Sequence, residues 1–264
     1  MTLPRRAELI FDGVRLSLLD WPGPDPPVLL LHGLAGQATE WNDTARWLSK
    51  HNRVVALDQR GHGHSQKGLR DQSRDAYVRD AAAAITTLHL PPVVVVGQSM
   101  GGVVAFLLTA RRPELVKALV VVEADSIASA RTARDVEKWL NSWPVPFKSR
   151  LAAVAFFGGN NLKGRTWAAM LERRRSGYWP VFERQDVLAA AADSTDHWAE
   201  WQNISRPTLV VGAGRGLARR TDMRRMARSL EQARYVELPD TGHDLHLEQP
   251  EAWQKLLLEF LATV

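Results

Sequence analysis

Four short apolar runs, unbroken by any polar residue, constrain this chain more than any other feature of it. Val-Leu-Leu-Leu at 28–31 precedes His32-Gly33, and Val-Val-Ala-Leu at 54–57 precedes Asp58-Gln59-Arg60-Gly61. Four valines at 93–96 precede Gly97-Gln98-Ser99, and Leu-Val-Val-Val at 119–122 precedes Glu123. A strand with one wet face alternates apolar and polar residues, so a continuous run marks a strand covered on both faces. Each run gives way to turn residues and then a helix-like stretch, the alternation that builds a mostly parallel sheet flanked by helices. Two later runs, at 208–211 and 235–238, extend the pattern. Near the start, 7–11 and 14–19 read as an antiparallel hairpin turning at Asp12-Gly13.

Between 124 and 206 this rhythm fails. The stretch has helical patches, a break at Trp143-Pro144 and a Gly158-Gly159 pair, and it holds six of the ten tryptophans: Trp139, Trp143, Trp167, Trp179, Trp198 and Trp201. A helical insertion over the sheet accounts for both facts. The expected division is therefore an α/β core of 1–123 and 207–264 with a helical cap, or lid, at 124–206. The tryptophans either glue the insertion to the core or line an apolar, substrate-binding pocket, with Trp143 and Trp179 the candidates for the second role.

Composition removes several function classes. With no cysteine, a disulfide framework, a thiolate nucleophile and a thiolate metal site are all excluded, and a cytoplasmic location is expected. The opening residues lack the apolar stretch of a secretory signal, and no apolar run approaches the length that crosses a bilayer. The formal net charge of +5 comes from scattered arginines such as Arg134, Arg173, Arg219 and Arg224, with no nucleic-acid motif beside them. A solvated basic surface is expected, with neither a nucleic-acid partner nor membrane insertion. No His-Glu-x-x-His spacing is present, and 212–216 lacks the Lys-Ser/Thr ending of a phosphate loop, so neither a metal nor an organic cofactor is expected.

Three elements carry chemistry. Gly97-Gln98-Ser99-Met100-Gly101 matches the nucleophile-elbow pattern Gly-x-Ser-x-Gly, between a strand-like run and an apolar helix, where its context requires it. Such a turn is strained, needs small residues two before and two after the serine, and lifts the hydroxyl to a helix N-terminus that favours a developing oxyanion. His32-Gly33-Leu34-Ala35-Gly36 follows an earlier strand, and its glycines let the backbone turn an N–H toward the serine. Leu34 and Met100 are the candidate oxyanion-hole donors, and His32 is expected to brace the loop. Of the eight histidines, His243 in Thr241-Gly242-His243-Asp244 sits directly after a late strand, where a neutral imidazole can take the proton of Ser99. His62, His64, His89, His197 and His246 are expected at the surface or in packing.

Together these segments, with Asp58-Gln59-Arg60-Gly61-His62-Gly63-His64-Ser65, resemble the α/β-hydrolase superfamily over the whole chain, in its esterase, lactonase and epoxide-hydrolase branch. The resemblance implies an eight-stranded, mostly parallel sheet with an inserted helical lid, and structural roles for Asp58, Arg60 and Ser65. It also implies an acid about three residues after the glycine equivalent to Gly212. Here Gly212-Ala213-Gly214-Arg215-Gly216 offers no carboxylate. Some relatives supply the acid from the end of the preceding strand, where this chain has Glu123-Ala124-Asp125. Glu123 is the first candidate, Asp125 the second and Asp222 a distant third.

A serine at the elbow argues against epoxide hydrolysis and dehalogenation, which use an aspartate there in similar proteins. The expected activity is hydrolysis of a small-molecule hydrophobic carboxylic ester or lactone through an acyl-enzyme intermediate. Alternatives are amide hydrolysis, a C–C bond hydrolase or perhydrolase on the same site, and a hydrolase-fold small-ligand sensor with little turnover.

Overall fold

The computed structural model describes residues 3–126, 133–193 and 195–264. In chain order the strands are β1 (Arg5–Phe11), β2 (Val14–Trp21), β3 (Val28–Leu31), β4 (Val54–Asp58), β5 (Val93–Gln98), β6 (Val116–Val122), β7 (Glu172–Arg174), β8 (Gly177–Trp179), β9 (Thr208–Ala213) and β10 (Ala233–Leu238). The α-helices are α1 (Asn42–Leu48), α2 (Arg74–Thr87), α3 (Met100–Arg111), α4 (Ala133–Asn141), α5 (Arg150–Phe156), α6 (Leu162–Ala169), α7 (Arg184–Ala192), α8 (Trp198–Gln202), α9 (Arg220–Arg228), α10 (Leu245–Glu248) and α11 (Pro250–Leu261).

Eight strands form one sheet in the order β1-β2-β4-β3-β5-β6-β9-β10. The β1–β2 and β2–β4 pairs are antiparallel and the remaining pairs parallel. Asp12 and Gly13, at φ 50° and 73°, turn the first hairpin, as a tight hairpin turn requires. The strand after β3 pairs on one side of it and β5 on the other, so the loops leaving β3 and β5 diverge. That point, at the carboxyl edge of the sheet, is where open α/β sheets form their ligand crevice.

The unbroken runs are explained by burial on both faces. Leu29, Leu31, Val95, Leu119 and Val121 pack against α2, α3 and α9 through residues such as Tyr77, Val104 and Met223. Their neighbours Leu30, Val94, Val96, Val120 and Val122 pack on the opposite face against Trp41, Leu48, Trp253 and Phe260 of α1, α11 and the turn before α1. Each such side chain contributes about 1.5–3 kcal/mol on burial. Between β6 and β9 a third apolar cluster gathers Val136, Leu140, Trp143, Phe147 and Trp167 with Ala35 and Leu247 from the sheet side. Trp201 instead packs with the helices over the sheet and donates from Nε1 to Met226 O at 3.0 Å.

The segment after β4 is pinned by buried polar contacts. Asp58 accepts from Arg6 Nη1 at 2.8 Å, from Ala38 N at 2.7 Å and from His64 N at 3.1 Å, while Ser65 Oγ donates to its carbonyl. Arg60 clamps Asp80 of α2 through Nε and Nη2 at 2.7 and 2.8 Å, both side chains being buried. His32 Nε2 accepts from Gln59 N at 3.0 Å and Nδ1 donates to Gly33 O at 2.7 Å. Burial lowers its pKa to about 4, so the ring is a neutral brace between the loops after β3 and β4.

Asp80→Ala strands the Arg60 guanidinium in the interior. Removing one partner of a buried pair costs about 3–5 kcal/mol. The expected result is a urea midpoint lowered by a corresponding amount, against a much smaller loss in the Arg60→Met/Asp80→Leu double variant.

Candidate active site

Ser99 sits between β5 and α3 at φ 53° and ψ −121°, a conformation costly for any residue but glycine. The surrounding backbone leaves no alternative. A Cβ at Gly97 would stand 2.0 Å from the carbonyl oxygen of Gly101, and a Cβ at Gly101 would strike the carbonyls of Leu31 and His32. The spacing of small residues about the serine is thus a packing requirement of strand, turn and helix. Ser99 N donates to Val122 O at 2.8 Å, tying the turn to the end of β6.

One residue further, Glu123 leaves β6 at φ 50°, and its backbone N–H donates to Val211 O at 2.8 Å. Its buried carboxylate is held from two sides. Oε1 accepts from Ala213 N at 2.7 Å, and Oε2 accepts from Leu217 N at 2.8 Å and Ala218 N at 3.3 Å. Oε2 also lies 3.2 Å from His243 Nδ1. The loop after β9 that carries no acid is therefore a cradle of amides for an acid from the neighbouring strand. Gly216 makes the cradle possible, since a Cβ there would occupy the carboxylate itself.

His243 stands in the turn after β10. Gln98 Nε2 donates to its carbonyl at 3.1 Å, and Gly242 N donates to Glu248 Oε2 at 2.6 Å. Beside it, Asp244 accepts from Trp167 Nε1 at 3.0 Å and lies 3.3 Å from Lys163 Nζ. These contacts join the His243 turn to α6.

Ser99 and His243 line one cavity of about 640 Å³, the size of a small-molecule site. Leu34 and Met100 line it as well, and their N–H groups donate to no group among the described residues. A Cβ added to Gly33 would stand 3.2 Å from Ser99 Cβ, so the Leu34 loop passes close to the serine. The Ser99 hydroxyl makes no hydrogen bond among the described residues. Bonds of this kind commonly tighten only when substrate is present.

The sequence candidates separate clearly. Glu123 reaches the imidazole. Asp125 lines the cavity without bonding to His243, and burial raises its pKa to about 6. Asp222 lies in the first turn of α9, paired with Arg219. Neither Trp143 nor Trp179 lines the cavity: Trp143 is buried among Trp139, Phe157 and Trp167, and Trp179 donates to Ser176 Oγ at 3.0 Å on the β7–β8 hairpin. The tryptophans on the wall are Trp139 and Trp167. Arg74, Ser126, Lys163 and His197 also line it, and nothing local in the sequence distinguishes them. Among the described residues there is no cluster of three or more metal-ligating side chains, and no helix is long and apolar enough to cross a membrane.

Comparison with known proteins bears on the family and the fold. Residues 26–250 match a family described as alpha/beta hydrolase fold. The chain is 37% identical over 259 residues to the (E)-2-((N-methylformamido)methylene)succinate hydrolase of Acinetobacter baylyi, covering 91% of this chain and 92% of that protein. It is 28% identical over 263 residues to an sn-1-specific diacylglycerol lipase of Mus musculus, covering 93% and 84% respectively. The crystal structure of an E-2-(acetamidomethylene)succinate hydrolase superposes with a TM-score of 0.88 at 22% identity, covering 98% of this chain and 99% of that one.

Two outcomes follow from the site. Gly216→Ala forces the cradle off the carboxylate and is expected to cost about 1–3 kcal/mol, read as a lower urea midpoint. An unchanged midpoint would mean the loop yields freely. For Asp125 the sign follows from a pKa raised from 3.8 to about 6. The folded chain holds that proton more tightly than the unfolded one, so ionisation above the raised value subtracts stability. Asp125→Asn is expected to melt above the wild type at about pH 8, with the gain vanishing by about pH 4.

Proposed function

We propose, from the premise that this chain belongs to the alpha/beta hydrolase fold family, that it hydrolyses a hydrophobic carboxylic ester or lactone through an acyl-enzyme. Ser99 Oγ adds to the substrate carbonyl carbon as His243 Nε2 takes the hydroxyl proton. The oxygen that gains charge accepts from the N–H groups of Leu34 and Met100, which the strained turns leave free. The tetrahedral adduct collapses, the C–O bond to the leaving group breaks, and His243 returns the proton to the leaving oxygen. Water repeats the sequence on the acyl-enzyme and regenerates the serine.

Glu123 does not take the proton. Held by three backbone amides, it fixes the tautomer and direction of the imidazole and offsets the charge of the imidazolium. The contact between Glu123 Oε2 and His243 Nδ1, on the wall of the cavity that holds Ser99, carries the reading. In it, residues 124–206 serve as a cap whose Val136, Trp139, Phe157 and Trp167 supply an apolar wall. The activity of the mouse lipase, at 28% identity, favours an ester. A second reading, hydrolysis of a formamido-type amide, is favoured by the Acinetobacter relative at 37% identity. A carboxylate on the imidazole favours turnover over a small-ligand sensor on the same fold.

A panel of chromogenic esters and aromatic lactones tests this. Turnover by the wild type is expected to vanish in Ser99→Ala and to fall on the order of 10⁴-fold in kcat in a folded Glu123→Gln. Near-normal turnover in the glutamine variant would sink the assignment of the acid. Absence of both turnover and fluorophosphonate labelling at Ser99 would sink the activity.

A further inference from the structure

The far end of the same cavity holds a charge that the reaction does not use. Arg74, in the first turn of α2, is only 8% exposed, yet no carboxylate lies within ion-pair distance of its guanidinium among the described residues. Nη2 donates to Ala190 O at 2.8 Å, the cation lies 5.9 Å from the ring centroid of Tyr77, and Nη1 is buried with no hydrogen-bond partner. A buried charge is costly unless it is paired. Asp193, on the same wall, accepts from the backbone N–H of Arg74 and from Thr195, and does not pair with the guanidinium.

Two more buried polar atoms of the lining share this condition. Ser126 Oγ and His197 Nε2, on residues 2% and 6% exposed, have no hydrogen-bond partner among the described residues, and His197 N donates to Ser126 O at 3.0 Å, which brings the two together. The His197 ring lies 6.3 Å from that of Phe106, seven residues along α3 from Ser99. At 1.5 Å per residue Phe106 stands roughly 10 Å along α3 from the serine, and Val103, between the two on that helix, lines the cavity.

We propose that Arg74, with Ser126 and His197, is an anion subsite that binds a carboxylate at the end of the acyl chain remote from the bond cleaved. The inference rests on the hydrolase reading above and names its substrate class: an ester or lactone whose acyl part is apolar in the middle and anionic at its tip. Nη1 supplies the charge-assisted hydrogen bond that is unmatched among the described residues, and Ser126 Oγ supplies a second donor.

The test compares p-nitrophenyl octanoate with the mono-p-nitrophenyl ester of suberate, equal in length and differing by the terminal carboxylate. In the wild type, kcat/KM for the suberate ester is expected to exceed that for the octanoate. Arg74→Gln is expected to cut this ratio by about 10- to 100-fold, the range of a hydrogen bond to a charged partner, with the loss mainly in KM. Arg74→Lys keeps the charge and recovers part of the ratio, and Ser126→Ala lowers it less. Because both esters are measured on each variant, loss of folded protein cancels. A wild-type ratio at or below one, or a ratio that Arg74→Gln leaves unchanged, overturns the subsite. A calorimetric arm separates this from failure of the hydrolase reading. Monomethyl suberate binding Ser99→Ala more tightly than methyl octanoate, with the difference lost in Ser99→Ala/Arg74→Gln, supports the subsite even without turnover. Equal binding of the two overturns it.

Discussion

The buried carboxylate of Glu123 organises everything on the carboxyl edge of the sheet. One anion gathers the end of β6, the amides of Ala213, Leu217 and Ala218, and the ring of His243. A carboxylate taken out of water without partners would be far too costly to keep, whereas a hydrogen bond to an ion is worth about 1.5–3 kcal/mol. With three amides and an imidazole on two oxygens, the ion becomes the fixed point of the site. The loop after β9 supplies neutral donors and the neighbouring strand supplies the charge. Gly216 follows from this exchange, because the peptide must pass where a side chain would displace the ion.

Strain is placed at the same edge. Ser99 and Glu123 leave adjacent parallel strands, and both have positive φ. Each costs about 1–3 kcal/mol, a sum the doubly covered sheet beneath can absorb. The two strained residues are also coupled. Ser99 N donates to the carbonyl of Val122, whose successor is Glu123, so the turn holding the serine and the turn holding the acid share a peptide boundary. A change in the twist of β6 would move both together, which keeps their separation constant.

The sheet was legible because burial on both faces leaves a one-dimensional trace: residues 93–96 can all be valine only if alternate side chains serve two cores. The elbow was legible because its spacing of small residues is itself the packing requirement, Gly97 meeting the backbone of Gly101 and Gly101 that of Leu31 and His32. Glu123 could be reached only through an absence, the lack of a carboxylate at 212–216, together with its position at a strand end. That argument could not rank it firmly over Asp125, since the two differ by which way a side chain leaves the chain and by amides ninety residues away. The tryptophans show the limit. Trp143 and Trp179 carry no local mark separating them from Trp139 and Trp167, because facing the cavity depends on how α4 and α6 pack, not on the residues next to them. Arg74 carries no local mark either, since it is the folded positions of Ala190 and Tyr77 that bury it.

The two ends of the cavity obey different rules. At the catalytic end the Glu123 oxygens and His243 Nδ1, which set the direction of the base, are satisfied within the chain, as a preorganised site requires. At the far end Arg74 Nη1, Ser126 Oγ and His197 Nε2 are not, among the described residues. An unpaired buried atom is not by itself a site: the indole nitrogens of Trp41 and Trp143 and the Nε2 of His62 are also unpaired. Those groups are neutral, and Arg206, whose Nε is also unpaired, is only half-buried where Arg74 is buried. The cost of such an orphan is about 1–3 kcal/mol, which well-packed aromatic surroundings can carry. His62 shows how the protein deals with a titratable one, since burial lowers its pKa to about 3 and the ring stays uncharged. A guanidinium has no such escape, because it does not deprotonate in a protein. Asp193 attracts the charge without bonding to the guanidinium, and Arg74 lines the cavity, so the unmatched donor and the space for a ligand share one wall.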